Sequence, residues 1–440
     1  MNSVAQSTGL LKRWNVIVPR IKFSYSLLSF VVIADQLLLP MFRIGPVPFK
    51  ISYPIFVFWF VHWLSRSKKV KNGFEYIKKV WGVFAIVLAC IFLGEVWLAS
   101  SYNVSSYSDT IRNVLTFALS ALAFGLGCSS VRFRMKWLLY IFFMAIALNF
   151  LFIIFRNNLP SWFIDIYYPA RMFIDSKHFH SSEQILMFAR PRGLFGNPNV
   201  SMLMVNVIVL FIHLSIKNNL LRIRSAITAT LLITLPILLA AILSSRNQFL
   251  VALLLSFLNY RTLRNGYGQL FRIRVTALIV MFVVIGSILI IHFEDTRGSM
   301  KSSMNRIYSI VQVFDTSQPQ NSTIERPLLT SRKFLARFYH SPLLGSGISS
   351  ADHDTFSEGT QHFHNDVFYI LTISGLVGFF AMLWLFLYFA SHLGWVVLIL
   401  FVLPGLTNTF VLCIPAFIGY FLMTGVLFAA LRRQRLISHY

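Results

Sequence analysis

The chain has 440 residues, of which 56% are hydrophobic and only 12% charged, and its mean hydropathy is +0.68. A soluble domain carries about 25% charged residues, so that class is excluded. The net charge of +24 does not mark a nucleic-acid binder, because the cations punctuate apolar segments instead of forming one basic face.

Apolar runs near 20 residues long recur along the chain without period-two alternation. They read as membrane helices, not as the strands of a barrel. The expected fold class is all-α: a polytopic transmembrane helical bundle in one integral domain over 1–440. Spans are expected at about 23–42, 47–64, 80–99, 112–131, 136–155, 199–216, 225–243, 247–260, 275–292, 365–390, 393–408 and 411–430. No cleavable signal peptide is expected, because the first apolar run starts only near Phe23. Cys90, Cys128 and Cys413 all fall in apolar runs and read as buried, inert thiols.

Alternate connections carry most of the cations. They hold Lys12, Arg13, Arg20 and Lys22, then Arg66, Lys68, Lys69, Lys71, Lys78 and Lys79, then Arg132, Arg134 and Lys136. Further on come Lys217, Arg222 and Arg224, then Arg261, Arg264, Arg272 and Arg274, with Arg432, Arg433 and Arg435 in the tail. The positive-inside rule puts these on the cytoplasmic side, which gives about 12 spans with both termini inside.

Two long connections, 156–198 and 293–364, then lie outside. They hold most of the acids, and cations such as Arg171, Arg297 and Arg337 as well. Long loops translocate despite such charge, so most of these residues read as solvated loop chemistry. Within 293–364, the residues Leu328, Leu329, Phe334, Leu335 and Phe338 suggest an apolar helix face over 327–340.

Three patterned stretches stand apart. The first is Arg190-Pro191-Arg192-Gly193-Leu194-Phe195-Gly196-Asn197-Pro198-Asn199. Asn197 can cap the span that follows, with Pro198 at its first helical position. A helix N-terminus behind two arginines suits an anionic group such as a diphosphate. The plainer reading is a well-made helix start with arginines at the lipid headgroups. The second stretch is Ser244-Ser245-Arg246 in a tight outer turn. Arg246 either snorkels to the interface or grips phosphate oxygens bidentately.

The third stretch has Arg326 and Arg332 upstream of His340-Ser341-Pro342-Leu343-Leu344-Gly345-Ser346-Gly347, and then His364-Asn365-Asp366 entering a span through Gly375 and Gly378. Small residues there let helices approach closely. His353, His362 and His364 near Asp352 and Asp354 raise a metal site, but the spacing matches no zinc pattern. A neutral histidine at a membrane edge can instead hold or accept a hydroxyl proton.

At these residues the chain resembles the bacterial O-antigen ligase and O-antigen polymerase family. RGLFGNPN before a span, SSR at an outer turn, and HSPLLGSG followed by HND and ISGLVG resemble its three signatures in order. The likeness covers about 190–390, including the large periplasmic loop at 293–364. The resemblance implies about twelve spans in the bacterial inner membrane, an active site facing the periplasm, and a glycan donor on undecaprenyl diphosphate. It implies no cofactor, metal or nucleic acid. Membrane lipid and a chain-length regulator protein are the partners it suggests.

Carried over, the resemblance makes Arg192 and Arg246 the diphosphate ligands, with Arg326 as third contact and Arg306 and Arg332 as its rivals. Arg190, Asn197, Asn199 and Asn365 would support them. His364 would orient or deprotonate the acceptor hydroxyl. The enzyme would then be a polymerase that extends another lipid-linked glycan, or a ligase that loads lipid A-core. A transporter is the reading from another class. Scarce intramembrane charge, with Asp35 and Glu95 the clear cases, argues against it.

Overall fold

The computed structural model describes residues 24–39, 42–44, 47–65, 74–99, 108–155, 194, 198–243, 246–266, 268–292, 338–339, 341–347, 366–402 and 413–438. In chain order these form α1 (Tyr25–Leu38), β1 (Phe42–Ile44), β2 (Val47–Phe49), α2 (Ser52–Leu64), α3 (Phe74–Ala99) and α4 (Ser108–Ser129). Next come α5 (Lys136–Phe155), α6 (Pro198–Lys217), α7 (Ala226–Ile242), α8 (Arg246–Gly266) and α9 (Gln269–His292). The chain closes with α10 (Asp366–Leu393), a 3-10 turn (Trp395–Leu398), α11 (Ile399–Val402) and α12 (Ile414–Ser438).

The described residues therefore form a helical membrane bundle. Five of the helices are long and apolar enough to cross a membrane: Glu75–Val96, Lys136–Ile154, Asn199–Lys217, Asp366–Leu393 and Ile414–Leu436. The expectation of pure helix needs one correction. The residues β1 and β2 pair as a small antiparallel hairpin, Phe42 opposite Phe49 and Ile44 opposite Val47. The span expected from residue 47 therefore begins only at Ser52. Hydropathy could not separate the two, because Val47–Phe49 is as apolar as the helix after it.

Two helices sit at the centre. The apolar windows of α6 and α12 are each 89% buried, against 39% for α3 and α5. Small residues let α12 in. A β-carbon on Gly127 of α4 would fall 2.2 Å from the Leu422 carbonyl oxygen, and one on Gly425 would fall 2.3 Å from that of Phe124. Backbones this close are the small-residue crossing used where lipid removes the hydrophobic drive between helices. Around it, Phe117 meets Phe417 and Phe124 meets Phe428, so α4 and α12 run parallel.

Polar bonds set the direction of the remaining helices. Asn206 bonds Gln248 and His213 bonds Asn259, so α6 and α8 run parallel. Asn149 near the end of α5 meets Leu194 just before α6, while Ser215 near the end of α6 meets Met135 just before α5. These two helices are antiparallel. One end of the bundle thus gathers the ends of α1, α3 and α5 with the starts of α6, α8, α10 and α12.

Candidate active site

The most specific geometry at that end is a break in α10. Gly375 has φ 61° and ψ −166°, a conformation open essentially only to glycine. A broken helix frees backbone groups, and in hydrocarbon they must find protein partners. The PLLGSG stretch supplies them. Leu376 N–H donates to the Pro342 carbonyl at 2.9 Å and Val377 N–H to that of Leu343 at 3.1 Å. In return, the Thr372 carbonyl accepts from Ser346 N–H at 2.8 Å and from Ser346 Oγ at 3.3 Å.

The fit leaves no room for side chains. A β-carbon on Gly345, itself at φ 78°, would stand 2.5 Å from the Gly375 nitrogen. The far side of the stretch rests on α3, where a β-carbon on Gly94 would stand 2.7 Å from the Gly347 nitrogen. The two halves of the third patterned stretch are thus one structural unit, knotted backbone to backbone. Gly375 lies nine residues into α10, about 14 Å along the axis at 1.5 Å per residue. The stretch therefore enters well below Asp366 and fixes the chain on both flanks of 348–365.

The first and second stretches lead into α6 and α8, which pack together. Pro198 is the first residue of α6 and Arg246 the first residue of α8, on neighbouring parallel helices. The helix from Arg246 starts one residue before the expected span and runs on to Gly266. Leu194, between Arg192 and Asn197, is fully buried, and its N–H donates to Asn149 Oδ1 at 2.9 Å. This anchors Leu194 to α5. Two residues past Arg246, Gln248 Oε1 accepts from Asn206 Nδ2 at 2.9 Å, and its main-chain carbonyl accepts from the same amide at 3.1 Å. Both side chains are fully buried, so the pair ties the start of α8 to α6.

A third cluster was not legible in the sequence. Lys50, after the hairpin, is fully buried, and its Nζ donates to the carbonyls of Asp35 at 2.6 Å and Gln36 at 3.3 Å. It closes the C-terminus of α1, where the helix dipole favours a cation. Burial pushes its ammonium down to about 8, opposed by the Asp35 charge. Asp35 Oδ2 accepts from Ser52 N–H at 2.9 Å and Gln36 donates to Ser52 Oγ at 2.6 Å, which locks α2 to α1. Cys413, the residue before α12, has its thiol pushed up to about 12 by burial, and it feels the charges of both Lys50 and Asp366. Asp366 is fully buried and directly follows His364 and Asn365.

Of the expected site residues, Asn199 lies in the first turn of α6, half-buried, and Arg246 opens α8. Arg190, Arg192, Asn197, Arg326, His364 and Asn365 lie outside the described residues, as do Arg306, Arg332, His353 and His362. So does most of the helix expected over 327–340, of which Phe338 is helical and packs against the core. Leu194, Asn149, Asn206, Gln248 and Lys50 are the framework residues that sequence reasoning missed. Asn149, Asn206 and Gln248, as amides inside apolar runs, carried a signal that could have found them.

Comparison with known families bears on the same segment. Residues 229–383 match the model of the family described as O-antigen ligase. Over those residues the chain is similar to that family. The O-antigen ligase-like region runs from early α7 through α8, α9 and the PLLGSG stretch to the middle of α10, past the Gly375 break. It includes Arg246, Arg326 and His364, and it starts after Arg192. A search of curated proteins finds no match. The match supports an enzyme of glycan assembly, of the ligase or polymerase kind.

Proposed function

We propose that the protein transfers a glycan from undecaprenyl diphosphate to an acceptor hydroxyl on the outer face of the bacterial inner membrane, and that it acts as a polymerase on a second lipid-linked glycan. The observation that carries this reading is the O-antigen ligase family match across the very segment where PLLGSG docks into the broken α10. In support, the segments bearing the two candidate phosphate arginines start neighbouring parallel helices at the same end of the bundle.

The chemistry follows from the residues. A lipid diphosphate is an activated leaving group that gains charge as the glycosidic bond breaks. Arg192 and Arg246, with Arg326 as third contact, would neutralise that charge through bidentate N–H donors. Two helix N-termini add fixed positive dipole ends. His364, neutral, would align the acceptor hydroxyl with the anomeric carbon and take its proton. Asn365, Asn197, Asn199 and Arg190 would hold these groups in place. The reaction so drawn is a single displacement with no metal and no cofactor, and a chain-length regulator would act on it as a partner protein.

The ligase reading rests on the description of the matched family, and one experiment separates the two. Deletion of the gene, followed by gel analysis of the envelope polysaccharide, should leave a single-repeat product on core if the enzyme is a polymerase. Unmodified core, with glycan retained on the lipid carrier, would make it a ligase. An unchanged ladder would remove both.

A further inference from the structure

The opposite end of the bundle, where α3 begins and α4, α10 and α12 end, holds two adjoining crevices of about 100 and 110 Å³. Tyr76, Phe428, Arg432 and Leu436 line both; Cys128 closes one and His392 the other. Tyr76, Phe428 and His392 put rings into their walls. The rings of Tyr76 and Phe428 lie 5.0 Å apart edge to face, and His392 stacks on Phe428 at 5.2 Å. Tyr388 lies against His392 at 4.5 Å. The Tyr388 hydroxyl is buried and has no hydrogen-bond partner among the described residues.

The rim is basic. Arg432, Arg433 and Arg435 come from the last turns of α12 and are exposed. Lys78 and Lys79 come from the start of α3, with Lys79 over the Tyr388 ring at 5.3 Å. A groove beside them, floored by Gly82 and Val83 and walled by Ile86, Ala381 and the exposed Trp384, runs between α3 and α10 toward the lipid. Glu75 is the acid at this groove.

We propose that this place binds one anionic glycerophospholipid, with its headgroup phosphate on Arg432 and Arg435 and its acyl chains in the groove along Ile86 and Trp384. The charge pattern selects the ligand. Among the described residues, five cations against one acid favour a net negative headgroup, whose phosphate suits the crevice they rim. A crevice of about 100 Å³ holds a phosphate group and not a fatty chain, while the apolar groove does the reverse. Basic pockets between membrane helices at the cytoplasmic side are suited to such headgroups. This site is independent of the catalytic reading, since it uses the other end of α3, α10 and α12.

The test uses the full-length protein purified in detergent, with native mass spectrometry after adding phosphatidylglycerol or phosphatidylcholine of the same chains. The wild type should retain phosphatidylglycerol about tenfold more strongly. The double variant R432Q/R435Q should lose that preference, and R222Q/R224Q, which neutralises two exposed arginines between α6 and α7, should keep it. If R432Q/R435Q does not fold, K78Q/K79Q carries the test, with about threefold weaker retention expected and no change counting against the site. Equal retention of the two lipids would overturn the proposal, as would equal loss in the R222Q/R224Q control. Inorganic phosphate displacing the lipid at millimolar concentration would show a free-anion site and overturn it too.

Discussion

Arg246 illustrates how a residue gains chemical meaning from its place. In the sequence it is a lone cation in a tight turn; in the structure it opens α8, two residues before a buried amide that locks the helix to α6. A phosphate ligand built on such a fixed helix start should tolerate little change. Arg192→Lys and Arg246→Lys are each expected to lower glycan transfer by roughly tenfold or more at unchanged protein level, because lysine keeps the charge and loses the planar fork. The Asn206–Gln248 pair has its own signature. Asn206→Leu should reduce the turnover rate more than the donor affinity, with partial rescue in Asn206→Gln, when transfer is followed over a range of donor concentration. Equal loss in both variants would make the pair merely structural. The sequence could offer Arg246 but not the amide pairing near it, since Gln248 and Asn206 meet only through folding, and Lys50 reads as an ordinary loop cation until burial is known.

At the scale of elements, hydropathy served well wherever a helix spans the membrane without interruption. The run expected at 136–155 is α5, Lys136–Phe155, and the run expected at 199–216 is α6, Pro198–Lys217, with proline at its first position as the capping argument requires. It failed where an apolar run hides an irregularity. Nothing in the hydropathy of 365–390 announces the break at Gly375, because the backbone groups it frees are satisfied by a segment some thirty residues earlier in the chain. The small residues Gly345, Ser346, Gly347 and Gly375 do signal close approach, and the structure shows what approaches what. Gly345→Val should therefore disrupt the knot: its β-carbon would stand 2.5 Å from the Gly375 nitrogen at a φ of 78°. A loss of about 1–3 kcal/mol is expected from the backbone strain alone, seen as a lower melting temperature in detergent and faster proteolysis after residue 347. A melting temperature equal to wild type would contradict the knot.

For the molecule as a whole, the helix directions and the cation bias describe the same object. One end carries the break, the arginine-bearing helix start and the buried Lys50 cluster; the other carries Arg432, Arg433, Arg435, Lys78 and Lys79. By the positive-inside rule the second end is expected to face the cytoplasm. Reporter fusions at Lys71 and Arg264 should accordingly read cytoplasm, and a fusion near Ser317 the outer side. An outside signal at Lys71 would reverse the orientation and put the arginine-bearing helix starts away from a periplasmic donor.

The central claim is glycan transfer from a lipid diphosphate, and it is tested most directly with purified protein and a purified undecaprenyl-diphosphate-linked glycan. The wild type should extend the glycan in a chelator as well as without one. His364→Ala should lower the rate by about 100-fold or more, with His362→Ala much milder and both variants inserted at normal level. Full activity in His364→Ala would contradict the assignment of the acceptor-activating residue, and no extension by folded wild-type protein would contradict the polymerase account itself.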